Sequence, residues 1–152
     1  MQVAKWNYDR DNTNFDKDLE RRMLAEEAQE FKDALNDYFD VDAEAKKKAI
    51  VDMVDAWADF KFVLQGSYYK HLGSNISFNF GMYESQLEYM KEILCDLGVY
   101  NWTLNECYKA VIDANNAKGT AKVDGKIQKG EFWRDPKETI YKILLDEEVF
   151  DG

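Results

Sequence analysis

The sequence predicts a single all-α domain, a bundle of about four to five helices, and three observations carry that expectation. Proline occurs once, at Pro136, and glycine only eight times in 152 residues, so signals for strand turns and helix breaks are scarce. Apolar residues recur three and four positions apart over long stretches, the period of a helix with one buried face. With 45% hydrophobic and 33% charged residues, the chain can bury a core and keep a soluble surface. The sequence contains no internal repeat and no low-complexity tract.

The elements follow in order. Residues 1–14 are polar, with Trp6 and Tyr8 embedded, and read as an irregular arm. The first predicted helix spans 16–38, where Leu24, Ala28, Phe31, Leu35 and Tyr38 form an apolar stripe. The second spans 43–65, with Ile50, Met53, Val54, Trp57, Phe60 and Leu64 on its apolar face and Gly66 as its stop. Residues 67–81 read as a long connection. A third helix over 82–96 carries Leu87, Met90 and Leu94, and Gly98 ends it. Thr103 is the expected N-cap of a fourth helix, with Glu106 completing a capping box; that helix ends near Ala117. Residues 118–136 read as a loop or short hairpin, and a last short helix follows Pro136 with Ile140, Ile143 and Leu144 inward.

Composition removes several function classes. Lys and Arg number 20 against 30 Asp and Glu, a net charge of −10, which repels a nucleic-acid backbone. No apolar run is long enough for a membrane span, and residues 1–6 lack a secretory core, so a cytoplasmic protein is expected. Cys95 and Cys107 form no CxxC and read as reduced, partly buried thiols. His71 is the sole histidine. A zinc site of the usual kind lacks ligands, and a Ser-His or Cys-His arrangement has only His71 to use.

The acidic residues are patterned. Glu26, Glu27 and Glu30 occupy an arc of about 100° on the first helix, flanking its buried side. Its solvated face, with Arg21, Arg22, Gln29, Lys32 and Asp33, lies elsewhere. Asp52, Asp55 and Asp59 fall within about 60° on the second helix, bordered by Val51, Phe62, Ala56 and Val63, with no basic residue in the arc. Like charges so placed repel. A solvated acidic stripe is the plain alternative. Burial beside apolar residues instead calls for compensation, and Mg²⁺ or Mn²⁺ held between facing helices supplies it. Residues 116–135 hold five basic residues (Lys118, Lys122, Lys126, Lys129, Arg134) against Asp124, Glu131 and Asp135. A cationic loop of that kind can close over phosphates.

These motifs resemble a known family. Glu26-Glu27-Ala28-Gln29-Glu30 matches the EExxE motif of the MazG-like and phosphoribosyl-ATP pyrophosphohydrolase-like all-α enzymes. The family's second motif, ExxD, is matched imperfectly, because the first acidic position here is Asp. Asp52/Asp55 and Asp55/Asp59 compete for it, and the aromatic-rich run from Asp59 to Gly66 favours Asp59. Asn115, Lys118, Asp124-Gly125-Lys126, Lys129-Gly130 and Pro136 resemble the tail of phage-type members. The resemblance covers 15–66 and 107–136; residues 67–106 are longer than the usual connection.

The resemblance implies one domain over 1–152 that hydrolyses a ribo- or deoxynucleoside triphosphate to the monophosphate and pyrophosphate, with 116–136 as its basic substrate loop. Glu27, Glu30, Asp55 and Asp59 are then Mg²⁺ ligands, replaceable by Mn²⁺, with Asp52 as an outer ligand. Glu26 is the general base, Lys118, Lys126 and Lys129 stabilise the leaving pyrophosphate, and Asn115 bonds substrate. Trp6 or Trp57 is a candidate base-stacking residue, and homodimers or homotetramers are usual. Phosphoribosyl-ATP and dUTP are alternative substrates. A non-catalytic acidic module that mimics nucleic acid is the rival of a different class.

Overall fold

A computed structural model describes residues 2–39, 42–119 and 121–151. Among them are six α-helices: α1 (Gln2–Asp9), α2 (Lys17–Tyr38), α3 (Ala43–His71), α4 (Phe80–Asp96), α5 (Asn101–Asn116) and α6 (Lys137–Asp146). A two-stranded antiparallel hairpin, β1 (Lys122–Val123) and β2 (Lys126–Ile127), lies between α5 and α6, and a 3₁₀ turn (Val149–Asp151) follows. The fold is the all-α bundle that the periodicity predicts.

The α2–α3 pair is the frame. Asp16 caps α2 by accepting from the Leu19 amide at 3.2 Å, and Asp42 caps α3 by accepting from Glu44 at 3.1 Å. The two helices pack along each other and share the largest interface among the described elements. Leu24 and Phe31 meet Met53, Val54, Phe60 and Leu64 in the core. Helices α1, α4, α5 and α6 also pack on α3, which is therefore buried on several sides along its middle. That central position is why α3's carboxylates leave solvent along with its aliphatic residues.

Four boundaries depart from the sequence reading. The expected irregular arm is helical from Gln2 to Asp9; Val3 and Trp6 sit one turn apart and anchor it in the core. It is also the sixth helix, beyond the four to five expected. Helix α3 runs through Gly66 to His71, because tertiary burial outweighs the roughly 1 kcal/mol propensity penalty of one glycine. Gly66 has another role: a Cβ there would stand 3.0 Å from the Asn7 amide nitrogen. Helix α4 starts at Phe80, capped by Asn79, whose side chain accepts from Met82 at 3.1 Å. Thr103 is not a cap. Gly98 turns the chain with φ of +94°, α5 begins at Asn101, and Thr103 faces the core.

The 67–81 connection is in its first part helix, and an aromatic cluster holds the rest. Phe15 and Phe80 pack edge-on to His71, and the His71 ring nitrogen lies 2.6 Å from the Ile76 carbonyl. His71 thus has a packing role. Both cysteines are unpaired, and burial, with Glu106 adding, pushes the Cys107 thiol up to about 12. Among the described residues, no helix is long and apolar enough to cross a membrane.

Candidate metal centre and cavity

A cavity of about 630 Å³ opens between α2, α3, the end of α5 and the hairpin segment. Glu27 and Glu30 reach it from α2, and Asp55 and Asp59 from α3. Carboxylate oxygens of Glu27, Glu30 and Asp59 lie within 4.8 Å of one another. Two helices therefore bring together at one point three of the predicted ligands. Asp55 lines the same cavity and is 8% exposed.

The electrostatics are those of crowded, poorly solvated acids. Burial first, then Asp59 and Glu30, pushes the Glu27 carboxyl up to about 10. Burial raises Asp55 to about 6; Lys137 opposes this, while Asp135, Glu30 and Asp52 add to it. Asp59 is held well above the usual range by burial and by Asp55, against the pull of Lys118 and Lys137. Glu27 Oε2 and Asp55 Oδ1 are buried with no hydrogen-bond partner among the described residues. Such orphaned oxygens are costly. A divalent cation would satisfy them, and an all-oxygen donor set suits Mg²⁺ or Mn²⁺. The residues present fit the ion.

Two predicted residues stand apart from this cluster. Asp52 faces a second, smaller cavity and pairs with Lys48 at 2.8 Å and Lys137 at 3.2 Å. It shares an azimuth with Asp59, but seven residues displace it by about 10 Å along the axis. The structure places it outside the carboxylate cluster, linked to the cavity through Lys137. Glu26, one residue from Glu27 and so about 100° around α2, sits on the cavity rim, 54% exposed, in an ion pair with Lys126 at 2.9 Å. The predicted base is thus occupied by a predicted phosphate-binding lysine.

The basic residues divide as well. Lys118 is half-buried in the cavity beside Asp59 and Glu27; burial lowers its pKa although both acids pull it up. Lys126 reaches the rim, and Lys129 lies 4.2 Å over the Trp133 ring. Asn115 lines the cavity, and its carbonyl accepts from the Trp6 indole at 2.7 Å. Trp6 also lines the cavity, whereas Trp57 does not. Trp57 is core, packed edge-on to Tyr108, so it is removed as a stacking candidate.

Sequence reasoning missed three contributors. Lys137 lines the cavity from the first turn of α6; burial lowers its pKa, but its bond to Asp52 and the charges of Asp52, Asp55 and Asp135 raise it overall. Arg10, inside the supposed arm, donates to the carbonyls of Lys118 at 2.8 Å, Gly119 at 3.2 Å and Asn116 at 3.3 Å. It satisfies the orphan C-terminus of α5 and fixes the backbone that carries Lys118. Lys70 lies at the far end of the cavity. A short polar arm gives no periodic signal for Arg10, and the supposed helix stop at Gly66 hid Lys70.

Comparison with protein-family models, with curated proteins and with solved structures finds no match for this chain. Its functional reading rests on the geometry above.

Proposed function

We propose that this chain is a divalent-metal-dependent pyrophosphohydrolase of nucleoside triphosphates, yielding the monophosphate and pyrophosphate. One observation carries the reading. Four carboxylates from two helices, three of them with oxygens within 4.8 Å, line a cavity whose other wall supplies Lys118, Lys126, Lys129 and Lys137. Acids and lysines facing each other across a concave site suit a polyphosphate and its cation.

Glu27, Glu30 and Asp59, with Asp55 beside them, would hold Mg²⁺ or Mn²⁺. When bound, the ion neutralises phosphate charge and makes water more acidic. Lys118 is half-buried beside Asp59 and Glu27 and is assigned to the phosphate nearest the acids. Lys126 can exchange Glu26 for a phosphate oxygen, since an exposed ion pair is worth only about 1 kcal/mol or less. Glu26, so released, takes the proton of the attacking water. The water oxygen bonds to the α-phosphorus, the α–β bridging P–O bond breaks, and pyrophosphate leaves against Lys118, Lys129 and Lys137.

The rival reading, an acidic module that mimics nucleic acid, needs its charge on an exposed convex face. Here the acids line a cavity, which favours the enzyme. The test is pyrophosphate release from a panel of ribo- and deoxynucleoside triphosphates with Mg²⁺, Mn²⁺ or chelator. Metal-dependent release supports the proposal; silence across the panel from folded protein overturns it.

A further inference from the structure

The cavity has a second, chemically different end. On α3, Asp55, Asp59, Phe62 or Val63, Gly66 and Lys70 line it in steps of three and four, one continuous face. At 1.5 Å per residue, Lys70 lies about 16 Å along the axis from Asp59. Between Asp59 and Lys70 the wall is Phe62 with Trp6 edge to face at 5.0 Å, Arg10 covering the Trp6 ring at 4.6 Å, and Asn7 and Asn12 also line the cavity from the N-terminal segment.

Lys70 is the feature that needs explaining. Its ammonium donates to Glu20 Oε1 at 2.7 Å, and the two side chains are 3% and 0% exposed. The Ser67 hydroxyl donates to the same oxygen at 2.7 Å. A buried ion pair stabilises a fold poorly compared with an apolar pair of the same volume. This one sits where Lys70 reaches the cavity wall. An ammonium has three donors, and among the described residues Glu20 is its one polar partner. Beside it, the Asn12 amide nitrogen donates to Asn7 Oδ1 at 2.6 Å, which leaves the Asn12 carbonyl oxygen to accept. Asn7 is itself fixed by its bond to the Val3 carbonyl at 2.9 Å and by the notch at Gly66.

Building on the proposed function, we infer that the Lys70–Asn12 end is a base subsite selecting nucleobases with a lactam edge, a carbonyl beside a ring N–H. Lys70 donates to the exocyclic carbonyl, the Asn12 carbonyl accepts the ring N–H, and the Trp6–Phe62 wall flanks the sugar side of the ring. Guanine, uracil and thymine offer that edge. Adenine and cytosine put an amino group opposite Lys70, donor against donor, and leave the Asn12 carbonyl facing a ring nitrogen that accepts. A subsite of two such contacts discriminates about 10- to 100-fold.

The experiment is calorimetric titration of the intact protein, with Mg²⁺, by the α,β-imido triphosphates of guanosine, uridine, adenosine and cytidine, which resist cleavage at the α-phosphorus. The expected result is guanosine and uridine analogues binding at least about 10-fold tighter than the other two. In Asn12→Leu the preference falls to within about 3-fold while the circular dichroism spectrum is kept. Lys70→Met strands Glu20 and risks unfolding, so Asn12 is the residue to change. Equal affinity for all four analogues overturns the subsite and leaves the hydrolase reading standing. No binding of any analogue overturns both.

Discussion

Two regions of this molecule handle charge in opposite ways. The α2–α3 pair gathers carboxylates on long, heavily packed helices, where burial and neighbouring acids raise Glu27, Asp55 and Asp59. The 118–136 segment carries compensating lysines on a short hairpin with few partners, mostly in solvent. The like charges sit on two long packed helices, and much of the counter-charge sits on a short segment with little packing of its own. A binding site gains from that division: rigid acids fix where a cation sits, and exposed lysines change partners at little cost.

The largest effect should come from breaking the rigid half. Asp59→Asn removes a cluster carboxylate without changing its shape. Pyrophosphate release should fall at least about 100-fold, because charge stabilisation of this kind supplies several kcal/mol. Stability should move the other way. At pH 7 Asp59 is ionised when unfolded but resists ionisation in the fold, so the metal-free variant should melt several degrees higher. Activity near wild type, or a lower melting temperature, would show that Asp59 is not a strained ligand.

The same acids give metal-free protein an unusual pH profile. Their folded pKa values are raised above the unfolded ones, so the unfolded chain releases its protons first. The stability contribution is fully present below about pH 4 and is lost as pH climbs through the folded values, about 6 for Asp55 and about 10 for Glu27. Thermal unfolding in chelator should therefore show stability falling by a few kcal/mol from pH 5 to pH 8. Millimolar Mg²⁺ should restore it, more at pH 8 than at pH 5, since the cation binds ionised carboxylates. A flat chelator profile would mean that Glu27, Asp55 and Asp59 are solvated.

How much of this was legible in the sequence follows from what a helical period encodes. Azimuth was legible: Leu24, Phe31, Met53, Phe60 and Leu64 are buried, and Glu27, Glu30, Asp55 and Asp59 line one cavity. Height was not, since Asp52 shares an arc with Asp59 yet lies about 10 Å away along the axis. Nor was the effect of tertiary cover. Gly66 reads as a stop until Asn7 is seen to need its missing side chain, and the N-terminal arm reads as coil until Trp6 and Arg10 find α5. Contacts more than 100 residues apart leave no mark in a local pattern.

Within the lysines the comparison can be sharpened. Lys118 is half-buried beside Asp59, whereas Lys126 is exposed and pairs with Glu26. Lys118→Ala should lower kcat/KM for the favoured nucleotide about 10- to 100-fold, as loss of a desolvated charge contact does. Lys126→Ala should cost about 3-fold or less, and that residual effect should shrink in 0.5 M salt because its charge is screened. Equal losses in the two variants would mean that the hairpin and the end of α5 act as one unit.

The smallest effect concerns how the hairpin is seated. Gly125 turns it with φ of +81°, and a Cβ there would stand 2.6 Å from Leu19 Cδ2 on α2. Gly125→Ala carries both penalties, conformational and steric, together about 1–2 kcal/mol. Because β1 and β2 contribute little to the core, the cost should appear as local opening and leave global unfolding almost unchanged. Limited proteolysis should then cut within 118–136 several-fold faster in the variant, while the melting temperature moves by no more than about 2 °C. A large drop in melting temperature would instead make the hairpin part of the packed frame, and the division of labour between packed acids and exposed lysines would fail.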